Sequence, residues 1–227
     1  MIISNYWTLF IIIGVLGLIV QMRLQSVFNK YSKVMFPGGL TGREVAEKML
    51  RDNGITDVKV VSTPGMLTDH YNPQTLTVNL SEGVYNSNSV SAAAVAAHEC
   101  GHALQHAAGY APLRMRSALV PVVQVCSMFS SWVILAGILM INTFPQLFWI
   151  GIAMIAASAL FAIITLPVEY NASRRAMQWL QASGTLYGEH VEMARTALSW
   201  AARTYLVAAL SAVATLLYYL GFARNRD

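Results

Sequence analysis

Charge is scarce in this chain. Charged side chains make up 11% of the 227 residues and hydrophobic ones 56%, a balance too apolar for a water-soluble domain of this length. The net charge is only +4, and no basic run interleaved with aromatics occurs, which excludes nucleic acid as a partner. Cysteine is equally scarce. Cys100 and Cys126 have no spacing for a metal clip or a disulfide framework, and both read as small buried apolar residues. There is no internal repeat and no low-complexity tract. Histidine occurs five times, so the positions of those five carry weight.

What the chain has instead is four charge-free apolar runs, 6–22, 119–141, 147–168 and 205–222, each long enough to cross a hydrocarbon core. No Lys or Arg precedes the first run and no small-residue cleavage site follows it, so it reads as a retained anchor rather than a signal peptide. Arg23, Lys30 and Lys33 follow that run, Arg114 and Arg116 precede the second, and Arg174 and Arg175 follow the third. All these fall on one side, which the positive-inside rule makes cytosolic, with the N-terminus and the uncharged loop 142–146 outside. Arg224 and Arg226 dissent. The expectation is a multi-pass integral membrane protein with the bilayer as a partner.

Between the first two spans, Leu24, Val27, Phe28 and Tyr31 keep a helical spacing, which predicts an amphipathic continuation along the membrane surface that stops at Pro37-Gly38-Gly39. Thr41 and Glu44 form a capping-box signature, Val45, Ala46, Met49 and Leu50 an apolar stripe, and Asn53-Gly54 a helix end. Two strand-like runs follow, 58–62 and 75–80. In the second, Thr75, Thr77 and Asn79 alternate with Leu76, Val78 and Leu80, which predicts one wet face and one buried face. The next helix starts near Ser89 or Ser91 and ends at Gly109. After the third span a helix from Glu169 to about residue 182, a break at Ser183-Gly184 and a long helix from Glu189 into the fourth span are expected. The resulting division is 1–22 first anchor, 23–117 cytosolic module, 118–168 second and third spans, 169–204 cytosolic helices, and 205–227 fourth span and tail.

His98-Glu99-Cys100-Gly101-His102 carries the chemistry. Two imidazoles four residues apart on a helix share a face and can grip one Zn²⁺, and the acid between them is then placed as general base. The alanine-rich residues 92–97 before the motif and Ala103, Leu104 and Gln105 after it favour that helix. A catalytic zinc takes a third protein ligand and keeps one position open. His106 is excluded, since it lies about 12 Å from His98 along the helix at 1.5 Å per residue. His70, His190 and several acids can fold back in principle, and Glu169, just past the third span and Pro167, is preferred.

Asp69-His70-Tyr71, the run 80–85, the run 96–105 around the histidines, and Leu166-Pro167-Val168-Glu169 continuing to Ala176 together resemble the neutral zinc metallopeptidases of the YugP type, relatives of the membrane-embedded HtpX and CAAX-prenyl endopeptidases. The similarity spans nearly the whole chain. It implies a gluzincin-like fold in which Glu169 completes the zinc site. HtpX-like relatives carry an Asp four residues after the ligand Glu, where it supports a zinc-bound imidazole, whereas this chain has Ser173. Ser173, Asn171 or a water is then expected to accept the histidine N–H.

The expected fold is a mainly α membrane protein, four transmembrane helices with a small cytosolic α+β gluzincin-like zinc-protease module. The expected function is a zinc-dependent endopeptidase of the bacterial cytoplasmic membrane, acting near its cytosolic face on peptides or unfolded proteins, with membrane-protein quality control as a role. The metal ligands are His98, His102 and Glu169, and Glu99 is general base and then acid. His70, Tyr71, Tyr170 and Arg174 are the polar groups from which a transition-state stabiliser is sought. The strand Thr75, Leu76, Thr77, Val78, Asn79 and Leu80 is expected to pair with an extended substrate. The rival reading is an inactive zinc-binding scaffold or adaptor. It calls for a fourth protein ligand, which the sequence does not place beside the site.

Overall fold

The computed structural model describes residues 2–36 and 38–224, so the expected stop at Pro37 and the dissenting Arg226 lie outside the described residues. The element order is α1 (Ile2–Tyr31), α2 (Gly42–Asp52), β1 (Lys59–Thr63), β2 (His70–Asn72), β3 (Thr77–Ser81), α3 (Glu82–Tyr85), α4 (Val90–Ala107), α5 (Ala111–Leu139), α6 (Pro145–Ala182) and α7 (Glu189–Arg224). Four of these helices, α1, α5, α6 and α7, are long and apolar enough to cross a membrane. The chain is a mostly helical membrane protein with one small sheet.

Two compact units divide the chain. One comprises Met1–Ile19, Arg114–Pro167 and Thr204–Asp227. Its α5 and α6 approach closely because Gly137 lacks a side chain: a Cβ there would lie 2.6 Å from the Phe148 Cα. Phe148, Ile134 and Ile152 are buried at that contact, and Phe222 of α7 packs on Phe148 with ring centroids 5.7 Å apart. Outward-facing Met128, Trp132 and Leu139 are more than half exposed, an apolar surface suited to lipid.

The other unit comprises Val20–Leu113 and Val168–Arg203. Its centre is α4, in which Ala92, Ala93, Ala94, Ala96, Ala97 and Ala103 are all buried. Methyl-sized side chains let neighbours approach α4 from several sides at once. On one side sit Val45, Ala46 and Met49 of α2, a helix started by the expected capping box between Thr41 and Glu44. On another sits the second half of α6, where Ala176 and Leu180 join the same core. Here contact is closest: a Cβ on Gly101 would lie 2.6 Å from the Ala172 carbonyl oxygen. The sheet has the order β1-β3-β2, with β1 and β3 parallel and β2 antiparallel to β3. Val78 and Leu80 of β3 point into the core while Thr77 and Asn79 stay partly exposed, as alternation requires.

Several expectations need correction. Strand β3 begins at Thr77 rather than residue 75, because Leu76 adopts a left-handed φ of 51° that ends the turn opened by Asn72, whose Oδ1 accepts from the Gln74 and Thr75 amides. Nor is the run from Thr75 to Leu80 a free edge. Its backbone pairs with β1 on one side and with β2 on the other, so an extended peptide finds no open ladder at Thr77, Val78 or Asn79. β2 itself, three residues long, was too short to show a period. The third span and the helix expected from Glu169 form one uninterrupted helix with Pro167 inside it. A proline removes one backbone donor and crowds the preceding turn, yet α6 continues through it.

Gly101→Ala is expected to destabilise the protein by about 1–3 kcal/mol, the usual cost of forcing one carbon into a filled contact. Gly83→Ala, where an added Cβ meets nothing within 4 Å, serves as the control and should change stability by no more than about 0.5 kcal/mol. Chemical denaturation of the detergent-solubilised chain measures both. Equal effects would show that the α4–α6 contact is slack.

Candidate metal centre

Ser89 caps α4 by accepting a hydrogen bond from the Ala92 amide, and the alanine run carries the helix to the motif without a β-branched interruption other than Val95. His98 and His102 therefore stack on one face, their ring centroids 4.9 Å apart and nearly perpendicular. The close contact at Gly101 brings α6 against that face and delivers Glu169, which is only 2% exposed. Glu169 Oε2 lies 3.2 Å from His98 Nε2 and 3.5 Å from His102 Nε2. One ligand atom from each residue lies within 4.8 Å of the others.

Each imidazole is held from behind. The Ser173 hydroxyl lies 3.1 Å from His98 Nδ1, and the Gln105 Oε1 lies 3.0 Å from His102 Nδ1. Both Nδ1 atoms are thus occupied, and both Nε2 atoms converge with the carboxylate. Two imidazole nitrogens and one carboxylate oxygen, convergent, with His102 and Glu169 buried and His98 partly so, form a donor set that fits a zinc ion. Burial disfavours charge on His102, yet the hydrogen bond to Glu169 and the negative charge of Glu99 and Glu169 outweigh it, so its pKa is raised. A field that favours a proton there also favours a divalent cation. Glu99 is nearly buried at 8% exposure, and its side chain makes no hydrogen bond or ion pair among the described residues, so its carboxylate is not engaged in structural work.

The remaining expected residues are spread more widely. His70 Nδ1 donates to the Thr68 carbonyl at 2.7 Å and holds the loop before β2. Tyr71 meets His106, one turn beyond His102, with its hydroxyl 2.7 Å from Nδ1. Burial, helped by Asp57, pushes the Tyr71 phenol up to about 12, so it keeps its proton at neutral pH. Tyr170 and Arg174 are exposed and line a groove of about 280 Å³ beside Met177 and Leu198. Asn171 is buried but reaches no histidine; its Oδ1 accepts from Gln105 Nε2 at 3.1 Å and from Arg175 Nε at 2.8 Å. Of the two residues weighed, beside a water, as imidazole partners, Ser173 makes that contact directly. Cys100 is fully buried and donates weakly to the Ala46 carbonyl, and burial pushes its thiol pKa well up, which suits an inert core residue.

Gln105 is the residue that sequence reasoning missed. The sequence carries no signal for it, since a glutamine one turn after His102 reads as an ordinary helix former facing water.

Comparison with known proteins supports the same chemistry. The model of a family described as putative neutral zinc metallopeptidase matches residues 6–224. A protein of Bacillus subtilis (strain 168), named putative membrane protease YugP, is 41% identical over 222 residues, covering 96% of this chain and 98% of that protein. No solved structure matches.

The native chain is expected to bind zinc stoichiometrically, and His102→Ala and Glu169→Ala, each removing one donor from the convergent set, should abolish that binding. Elemental analysis after dialysis measures it. Full zinc retention in Glu169→Ala would remove that carboxylate from the ligand set.

Proposed function

The chain belongs to the family of putative neutral zinc metallopeptidases, and from that premise we propose that it is an integral membrane zinc endopeptidase of the gluzincin kind. The observation that carries the proposal is the convergence of His98, His102 and Glu169 around one point, with Glu99 between the two histidines on the same helix. His98, His102 and Glu169 would hold a zinc ion there, which would supply Lewis acidity and make water more acidic near neutral pH. The Glu99 carboxylate takes a proton from the attacking water as the carbon–oxygen bond forms at the scissile carbonyl. It then passes that proton to the leaving amine as the carbon–nitrogen bond breaks. The polar groups from which oxyanion stabilisation is drawn remain His70, Tyr71, Tyr170 and Arg174. Tyr71 is favoured, because it is a protonated phenol anchored to the metal helix through His106.

Substrate backbone is assigned to β2 in place of β3. β2 is an edge strand, its residues are exposed or half-buried, and Tyr71 ties it to α4. Strand addition there admits only extended chain, which gives a preference for peptides and unfolded proteins and suits a role in membrane-protein quality control. The positive-inside pattern puts the centre on the cytosolic side.

Glu99→Gln should retain zinc and lose turnover by a factor of roughly 10² to 10⁴, the scale of a general base. Peptide cleavage and zinc content measured on the same preparation test it, with chelator-treated native protein as reference. A variant with full activity would refute the role of Glu99, and native protein that binds zinc but cleaves no peptide would favour the scaffold reading. Single cysteines at Arg23, Arg114 and Arg174, introduced after Cys100 and Cys126 are replaced, should label only from the cytosolic side of sealed vesicles. Labelling at 114 from the outside alone would reverse the orientation.

A further inference from the structure

Gln105 has no exposed surface, and a primary amide brings two N–H donors and one carbonyl acceptor into the core. Every one of these groups is used. Nε2 donates to the Val168 carbonyl at 2.7 Å and to Asn171 Oδ1 at 3.1 Å, and Oε1 faces His102 Nδ1 at 3.0 Å. His102 and Gln105 lie three residues apart on α4, while Val168 and Asn171 flank Glu169 on α6. One side chain therefore touches a ligand histidine and both flanks of the third ligand.

The direction of each bond is fixed by chemistry. A backbone carbonyl only accepts, so the Gln105 atom facing Val168 is nitrogen. Asn171 Oδ1 already accepts from Arg175 Nε, and a guanidinium only donates, so the Asn171 atom facing Gln105 is oxygen. The remaining Gln105 atom is the carbonyl oxygen, and His102 Nδ1 must carry the proton to meet it. In the neutral imidazole, the form that can ligate a metal, His102 Nε2 is then the lone-pair nitrogen on the Glu169 side.

We infer that Gln105 is a positioning residue of the metal centre: it holds His102 in the Nδ1-protonated tautomer and clamps the Glu169 turn of α6 to the metal helix. The inference rests on the zinc-site reading above. It also gives the centre a distinctive character, because both imidazoles are oriented by neutral groups, Ser173 and Gln105, with no carboxylate among the described residues bonded to either Nδ1.

The test measures the zinc dissociation constant of the full chain in detergent by competition with a chromophoric chelator, alongside the visible spectrum of the cobalt-substituted protein. Gln105→Met keeps length and volume but leaves His102 Nδ1 without its acceptor, and should weaken zinc binding about 10- to 100-fold, as loss of a ligand's hydrogen-bond partner typically does. Gln105→Glu restores an acceptor for His102, so its constant should fall between that of Gln105→Met and that of the native chain. Leu180→Ala, a buried core change on α6 that touches neither histidine through a hydrogen bond, should lower thermal stability while leaving the zinc constant within twofold. The cobalt bands should shift in Gln105→Met and stay in place in Leu180→Ala. A Gln105→Met zinc constant within twofold of native, or a Gln105→Glu constant no better than that of Gln105→Met, overturns the inference; should the Met variant fail to fold, Gln105→Glu decides it, a constant more than twofold weaker than native with shifted cobalt bands supporting the inference, and a constant within twofold with unmoved bands and only lowered thermal stability, the Leu180→Ala pattern, overturning it. A native chain that binds no zinc removes the zinc-site reading itself, a result distinct from any of these.

Discussion

The centre depends on how closely α4 and α6 can approach. A glycine at 101 removes the one side chain that would stand between the motif helix and the Ala172 backbone. Because His98 and His102 sit three residues before and one after that glycine, and Glu169 three residues before Ala172, the contact point and the ligand set occupy the same stretch of the interface. Any increase in spacing there separates the carboxylate from both imidazoles together. The alanines of α4 extend the same logic, since small side chains on all its inward faces let α2, the sheet and α6 close around a helix that carries charged and polar groups into the core. The cost of burying His102 and Gln105 is met by pairing them, and no fully buried side-chain nitrogen or oxygen among the described residues lacks a partner.

Electrostatics then follow from which groups are paired with what. Glu99 and Glu169 are the carboxylates at the motif, and together they would balance a dication without excess negative charge. Neutral partners behind the imidazoles keep it so. A carboxylate behind His98, as the resemblance to HtpX-like relatives would have supplied four residues after Glu169, would add a third negative charge in a site where Glu169 is almost wholly buried. Ser173 supplies the hydrogen-bonding geometry alone. Its hydroxyl can accept from His98 Nδ1 and thereby leave Nε2 for the metal, which is the same tautomer that Gln105 enforces on His102.

How much of this was legible depended on whether the physics was local. The histidine pair, the Ser89 cap, the capping box at Thr41 and the apolar alternation of Val78 and Leu80 are set by neighbours within one turn or one strand, and periodicity exposes them. The arrival of Glu169 beside residues 98 and 102 is a contact about 70 residues long in sequence, which no local pattern encodes; residue preference and family resemblance pointed to it instead. The turn at Leu76 and the three-residue strand β2 were hidden for another reason. A leucine at positive φ contradicts its own preference, and three residues are too few to show alternation. Gln105 was overlooked because an amide in a helix ordinarily faces water, and only the packed structure shows it enclosed.

Sheet order decides the direction from which a substrate can come. With β3 in the middle, its wet face cannot be read as a free edge, since alternation reports side-chain exposure while strand addition needs unpaired backbone groups. Those groups belong to the outer strands. β1 lies beside α2 and the loop from Ile55 to Val58, away from the motif residues in the order β1-β3-β2, whereas β2 sits on the opposite flank and touches α4 through Tyr71 and His106. A chain laid along β2 would run past a phenol that stays protonated and past the helix that bears both histidines. Asp69 fixes the start of that strand by accepting from the Ser81 amide and hydroxyl, so the edge is anchored at one end by β3 and at its centre by the metal helix. Under the proposed strand addition, it is this doubly anchored edge, a three-residue strand invisible to periodicity, that an incoming backbone would meet.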